Sequence, residues 1–272
     1  MTGVIGTTLR RFWAHDGFFL AGGLSFFVII CIVPFLLLLV AGGGFLLSDQ
    51  MVVREVLDRL SRILPVYQSE MERILTGVVE ARGVSTLVGT AILLLFAIQL
   101  FAATRLVLNR ILDTKGRGFF PGVLFDVAMI VVLTLLFFVS MAITAAFAWM
   151  RDLFMVPQRG VLAVVLLEWA GLLLAVTLDT ALFFVLYRFV PNARLPWSSV
   201  IIGSTATAVL WELAKQLFRL YIEQVGVYTI VYGSLGVAIA LVMWVYYSAI
   251  VFVLGAALIR ALEERRSGPA AV

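Results

Sequence analysis

Six long apolar runs alternate with shorter polar stretches along the chain, near 20–47, 84–108, 122–149, 161–187, 198–221 and 235–259. Each can carry a helix across a hydrocarbon layer, which takes about 20 apolar residues. Each is too long and too uniformly apolar for a strand. The pattern predicts an all-α protein, a polytopic membrane helical bundle of six transmembrane helices forming a single membrane domain over 1–272. An even number of spans puts both termini on one side. Pro34 falls in the middle of the first run, where it kinks a helix.

Residues 48–83 have a different period. Val53, Val56, Leu57, Leu60, Ile63 and Leu64 share one helical face, and Pro65 interrupts it. Ser69-Glu70-Met71-Glu72 forms a capping box for a second helix. Its apolar face is Tyr67, Met71, Ile74, Leu75 and Val78, and Gly83 suits its end. The expectation is an amphipathic helical hairpin on the periplasmic surface, a place where a periplasmic partner could dock. Residues 261–272 read as a cytoplasmic tail.

Composition strengthens the membrane reading. Apolar residues make up 63% of the chain and charged residues 13%, against roughly 45–50% and 25% in soluble domains. The net charge of +4 does not point to nucleic acid, because the basic residues lie at the ends of apolar runs and form no binding stripe. Arg10, Arg11, Arg110, Lys115, Arg117, Arg188, Arg194, Arg260, Arg265 and Arg266 belong to one set of flanks. The opposite set has fewer basic residues, and most of them share residues 48–83 with acids. The bias puts both termini in the cytoplasm. Arg10-Arg11 is a flank rather than part of a secretion signal, because the apolar stretch after it is far too long for one. The single cysteine, Cys31, excludes an intrachain disulfide and reads as a small packing residue.

Catalytic motifs are missing. The chain has no phosphate-cradling loop and no nucleophile elbow. His15 is the only histidine, so zinc motifs built on histidine pairs are excluded. The expectation is a protein that is not an enzyme and that needs no metal or other cofactor.

The informative residues are charges inside apolar runs, each costing about 2.5–3.5 kcal/mol at a helix centre. Glu212, Lys215, Arg219 and Glu223 are spaced to share one helical stripe. Glu168 and Asp179 lie eleven residues apart on one face of the preceding run. Counted by helix rise, Glu168 should lie level with Lys215 or Arg219 and pair with one of them. Two readings remain open. The charges either pair to fix helix register, or they line a polar cavity that receives a charged or zwitterionic group. Asp179, Glu212, Lys215, Arg219 and Glu168 are the candidate binding residues. Arg105 and Asn109 sit one turn apart near the end of the second run, as an anchor, and Asp126 opens the third.

Several stretches together resemble one family. They are Leu186-Tyr187-Arg188-Phe189-Val190-Pro191-Asn192, Pro196-Trp197, Leu210-Trp211-Glu212-Leu213-Ala214-Lys215, Val231-Tyr232-Gly233-Ser234-Leu235, Trp244-Val245-Tyr246 and Leu254-Gly255-Ala256. With Leu108-Asn109-Arg110-Ile111 and the Ser25-to-Pro34 stretch, they resemble the YihY/BrkB family of bacterial inner-membrane proteins over essentially the whole chain. Phe26 and Phe27 stand where the family usually has tyrosine, Cys31 where serine is usual, and Leu112 where tryptophan often follows. The resemblance implies a six-helix fold in the bacterial inner membrane and no settled activity. Family members are linked to envelope integrity, virulence and export, with a suspected role in lipid handling. Some carry a ribonuclease label, which the lack of a metal-binding cluster here argues against.

The reading that follows is a transporter or flippase-like protein for an amphiphile, an envelope lipid or its precursor, with Asp179, Glu212 and Lys215 lining a headgroup cavity. The alternative is a non-catalytic envelope scaffold that works through 48–83. The expected partners are membrane lipids or an amphiphilic solute, without nucleic acid, and a homo-oligomer is a general expectation for symmetric assembly.

Overall fold

A computed structural model describes residues 2–46, 84–116, 118–154, 161–193, 195–224 and 234–267. The hairpin expected over 48–83 lies outside the described residues. Those residues form seven α-helices and no strand. They are α1 (Thr2–Ala14), α2 (Gly17–Leu46), α3 (Val84–Ile111), α4 (Phe119–Phe154), α5 (Val161–Phe189), α6 (Trp197–Gln224) and α7 (Ser234–Ser267).

The protein is an all-α membrane bundle. Four described helices contain stretches long and apolar enough to cross a bilayer: Gly89–Ile111, Pro121–Met150, Val165–Phe189 and Ile239–Arg266. The bent pair Gly3–Ala14 and Gly17–Ile32 would make a fifth. Helix α6 has the length of a span, with 28 residues, but its serines, threonines and charges dilute its hydropathy. Large apolar side chains cover the outside of α4, where Val131, Leu135, Phe138, Val139 and Trp149 are exposed. A water-soluble domain would not leave such a surface bare, and lipid covers it here.

The chain divides into two compact units. The smaller runs from Phe26 to Leu100 and takes in the later part of α2 and the first part of α3. Within it, the Phe26 and Phe27 rings meet edge to face at 5.5 Å.

The larger unit, Met1–Ser25 with Phe101–Val272, holds the candidate residues. Helix α6 packs between α5 and α7, α1 packs on α7, and α4 on α5. The core lies where α5, α6 and α7 meet. Tyr187, Val200, Thr207, Val253 and Ala256 are fully buried there. Tyr187 OH donates to the Phe252 carbonyl at 2.7 Å, and its ring stacks on Phe252 at 5.1 Å. A methyl group on Gly255 would collide with both Tyr187 OH and Thr207 Oγ1, and one on Gly203 with Ile259. These two glycines set how closely α7 approaches α6.

Helix α1 was not foreseen as a separate element. The sequence made Arg10-Arg11 a flank; the structure makes them part of a 13-residue helix that meets α2 at a 66° bend. Asp16 makes the bend, with φ of 53°, a left-handed conformation that aspartate tolerates better than most residues. Asp113, also at φ 53°, ends α3 the same way, and Thr114 N–H reaches back to the Asn109 carbonyl at 2.9 Å. The two helix ends exchange arginines. Arg11 of α1 donates to Asp113 at 2.6 Å and to the Ile111 carbonyl at 3.1 Å, while Arg110 of α3 lies 3.9 Å from Asp16.

Arg11 also pairs with Glu264 of α7, and Arg266 donates to Ser198 at the start of α6. The segments that supply one set of basic flanks are therefore gathered at one end of this unit. The stretch read as a tail continues α7 as helix to Ser267.

Candidate functional site

Helices α5 and α6 meet along contacts at four-residue steps: Tyr187 with Thr207, Phe183 with Trp211, and Asp179 with Lys215. The last step is polar. Lys215 Nζ lies 3.2 Å from Asp179 Oδ2 and 2.6 Å from Glu212 Oε1. Asp179 is ten residues, or about 15 Å, in from Phe189, which is close to the middle of a hydrocarbon layer about 30 Å thick.

This grouping differs from the pairing expected by helix rise. Lys215 turns to Asp179 and Glu212, and Arg219 donates to Gln216 at 2.6 Å. Glu168 is exposed on α5, and no ion pair joins it to Lys215 or Arg219 among the described residues. The reason is the register of the two antiparallel helices. The contacts Tyr187–Thr207, Phe183–Trp211 and Asp179–Lys215 advance in equal steps, so Asp179 stands opposite Lys215. Glu168 lies eleven residues, or about 16 Å, from Asp179 along α5, whereas Arg219 lies only about 6 Å beyond Lys215 on α6. Three of the five candidate residues thus come together, and Arg219 and Glu168 stand apart from them.

A second intramembrane ion pair went unpaired in the sequence. Arg105 of α3 donates to Asp126 Oδ2 of α4 at 3.0 Å. A methyl group on Gly122, one turn before Asp126, would strike the Arg105 guanidinium, so this glycine makes room for it. The pattern was available: Arg105 and Asp126 lie at similar distances either side of the 112–118 link, with opposite charge.

The two clusters differ in access and in charge. At Asp126 the side chain is 1% exposed and the pair is neutral. At Lys215 the ammonium side chain is 37% exposed and Asp179 is 21% exposed, with two carboxylates for one cation. The first pairs one guanidinium with one wholly buried carboxylate, whereas the second is more exposed at Lys215 and Asp179 and sets two carboxylates beside one cation.

Asn109 is a latch. Its side-chain carbonyl accepts from the Asn192 backbone N–H at 2.8 Å and from Thr114 Oγ1 at 2.9 Å. The Asn192 side chain in turn donates to the Lys115 carbonyl at 3.0 Å. The end of α3 is thereby tied to the link between α5 and α6. Among the described residues, no three His, Cys, Asp or Glu side chains gather to hold a metal ion.

An all-helical membrane bundle with charged residues inside its spans is the class these features define. The sequence profile described as Virulence factor BrkB matches residues 8–271, and the chain belongs to that family. It is 29% identical over 190 residues to a UPF0761 membrane protein of Paraburkholderia xenovorans, covering 70% of this chain and 43% of that one. A Vibrio vulnificus relative of the same designation is 32% identical over 186 residues, covering 67% and 57%. One from Idiomarina loihiensis is 27% identical over 205 residues, covering 75% and 70%. The chain thus spans about half the length of the first two relatives. No solved structure matches.

Proposed function

We propose that this protein handles an amphiphile in the bacterial inner membrane as a transporter or flippase-like protein, receiving a zwitterionic headgroup at Asp179, Glu212 and Lys215. The observation that carries the reading is the open, unbalanced cluster between α5 and α6. A pair needed only for packing gains from being sealed and neutral, as Arg105 and Asp126 are. Here Lys215 offers a cation to a phosphate, and the surplus carboxylate offers an acceptor to an ammonium group. Acyl chains would stay in the bilayer while the headgroup crosses the midplane. The cargo is then an envelope lipid or lipid precursor, and both termini face the cytoplasm by the positive-inside rule.

The test is translocation of a fluorescent phosphatidylethanolamine in vesicles containing the purified protein. The wild type should move the lipid faster than protein-free vesicles do. Asp179→Asn with Glu212→Gln should return the rate to that of protein-free vesicles. A wild-type rate in that double variant would leave the cluster as a packing device and move the weight to a scaffold role.

A further inference from the structure

A second feature lies at the end of the unit where Gly3 and Arg265 meet. Helices α1, α6 and α7 enclose a groove of about 850 Å³, within the roughly 300–1,000 Å³ typical of ligand sites. Its walls are almost wholly apolar, with Ile5 and Leu9 from α1, Ile201, Ile202 and Leu210 from α6, and Leu258 from α7. Ile5, Leu9, Ile201, Ile202 and Leu210 are exposed along its rim, so the groove opens sideways to the surroundings of the bundle. From Ile201 to Leu210 α6 rises about 14 Å, close to the depth of one leaflet's hydrocarbon.

Beyond the groove's lining, past Ile5, Ile201 and Leu258 on the same three helices, the surface is basic. The neighbouring acids of α7 are already engaged, Glu263 by Arg260 at 2.7 Å and Glu264 by Arg11. Arg265 and Arg266 are exposed, and no acidic side chain pairs with either among the described residues. Arg265 lies over Gly3, where a methyl group would meet its guanidinium. Arg266 donates to Ser198 at the N-terminus of α6, whose free N–H groups favour an anion. Two guanidinium groups and a helix N-terminus therefore stand one to two turns above an apolar slot one leaflet deep.

We infer that this groove holds an acyl chain of an anionic phospholipid, with the headgroup phosphate on Arg265 and Arg266. The amphipathic α1, bent by 66° from α2, forms one wall. The site does not rest on the cluster at Lys215 and stands apart from it along α6.

Detergent-solubilised full-length protein is titrated with dioleoylphosphatidylglycerol, with dioleoylphosphatidylcholine and with inorganic phosphate, and bound lipid is counted by native mass spectrometry. The wild type should bind the anionic lipid about tenfold more tightly than the choline lipid, since each surface arginine favours an anionic headgroup severalfold. Arg265→Ala with Arg266→Ala should remove that preference. Ile202→Trp should weaken both lipids by filling the slot. All three positions are exposed, so the variants should keep the wild-type fold, checked by circular dichroism. Equal affinity for the two lipids, a preference that persists in the double arginine variant, or binding unchanged in Ile202→Trp would each overturn the inference. So would displacement of the anionic lipid by millimolar inorganic phosphate, which would reduce the site to one for free anions.

Discussion

Replacing Arg105 by methionine tests whether the two ion pairs differ as their exposure says. In the wild type the Asp126 side chain is 1% exposed and accepts from Arg105 at 3.0 Å. Methionine keeps much of the arginine stem's volume and removes the guanidinium. Asp126 is fully buried, so its carboxylate would lose this cation while staying shut off from water. Removing one partner of a sealed pair costs about 3–5 kcal/mol. Lys215→Met is the comparison. Its side chain is 37% exposed, and the carboxylates it leaves are 21% and 12% exposed. In a water-filled headgroup cavity, as proposed above, such pairs contribute only about 0–1 kcal/mol, and that variant should then lose far less. The difference between the two, about 2–4 kcal/mol, can be read by unfolding in mixed micelles of increasing dodecyl sulfate content, followed by circular dichroism. Arg105→Met with Asp126→Leu should recover most of the loss, because an apolar replacement of both partners avoids the stranded charge. Equal losses for Arg105→Met and Lys215→Met would refute the distinction between a sealed pair and an open one.

Three further outcomes can be checked in the same unfolding assay. Gly255→Ala should cost about 1–3 kcal/mol, because its methyl group has to displace Tyr187 and Thr207 from a close-packed junction. Asn109→Ala should cost about 1–3 kcal/mol by leaving the Asn192 N–H without its acceptor, and amide exchange at Asn192 should speed up. Tyr187→Phe keeps the stacking on Phe252 and loses one hydrogen bond to its carbonyl, so a loss of about 0.5–1.5 kcal/mol is expected.

The helices were legible because an apolar run of span length has few other structures open to it. Their faces were not. Beyond Asp126, a run such as 122–149 is apolar on nearly every side, so its periodicity does not say which side meets protein and which meets lipid. Helix α1 was hidden because it is short and carries both arginines of the flank, and its bend depends on a single aspartate in a left-handed conformation. At the candidate site, the sequence showed that Lys215 and Glu212 share a face. It did not show that Asp179 stands opposite Lys215, because helix rise along one helix does not fix the register between two. Asn109 was visible as a motif residue, and its partner Asn192 lay in another motif. Only the fold joins the two.

The length of α7 has a mechanical meaning. Its 34 residues make a rod about 51 Å long, and at Gly255 the rod has no side chain between it and α6. Were the rod to tilt, that close approach would be its fulcrum. Glu264, which holds Arg11, lies about 14 Å to one side of it, and Trp244, packed on Trp211 and Phe218, about 17 Å to the other. A swing of about 5° about Gly255 would carry the two ends about 1.2–1.5 Å in opposite directions. Such a shift exceeds what a hydrogen bond of ordinary length tolerates. Movement of the aromatic end would therefore pull on the Arg11 contact at the other, with the glycine as the point that stays still.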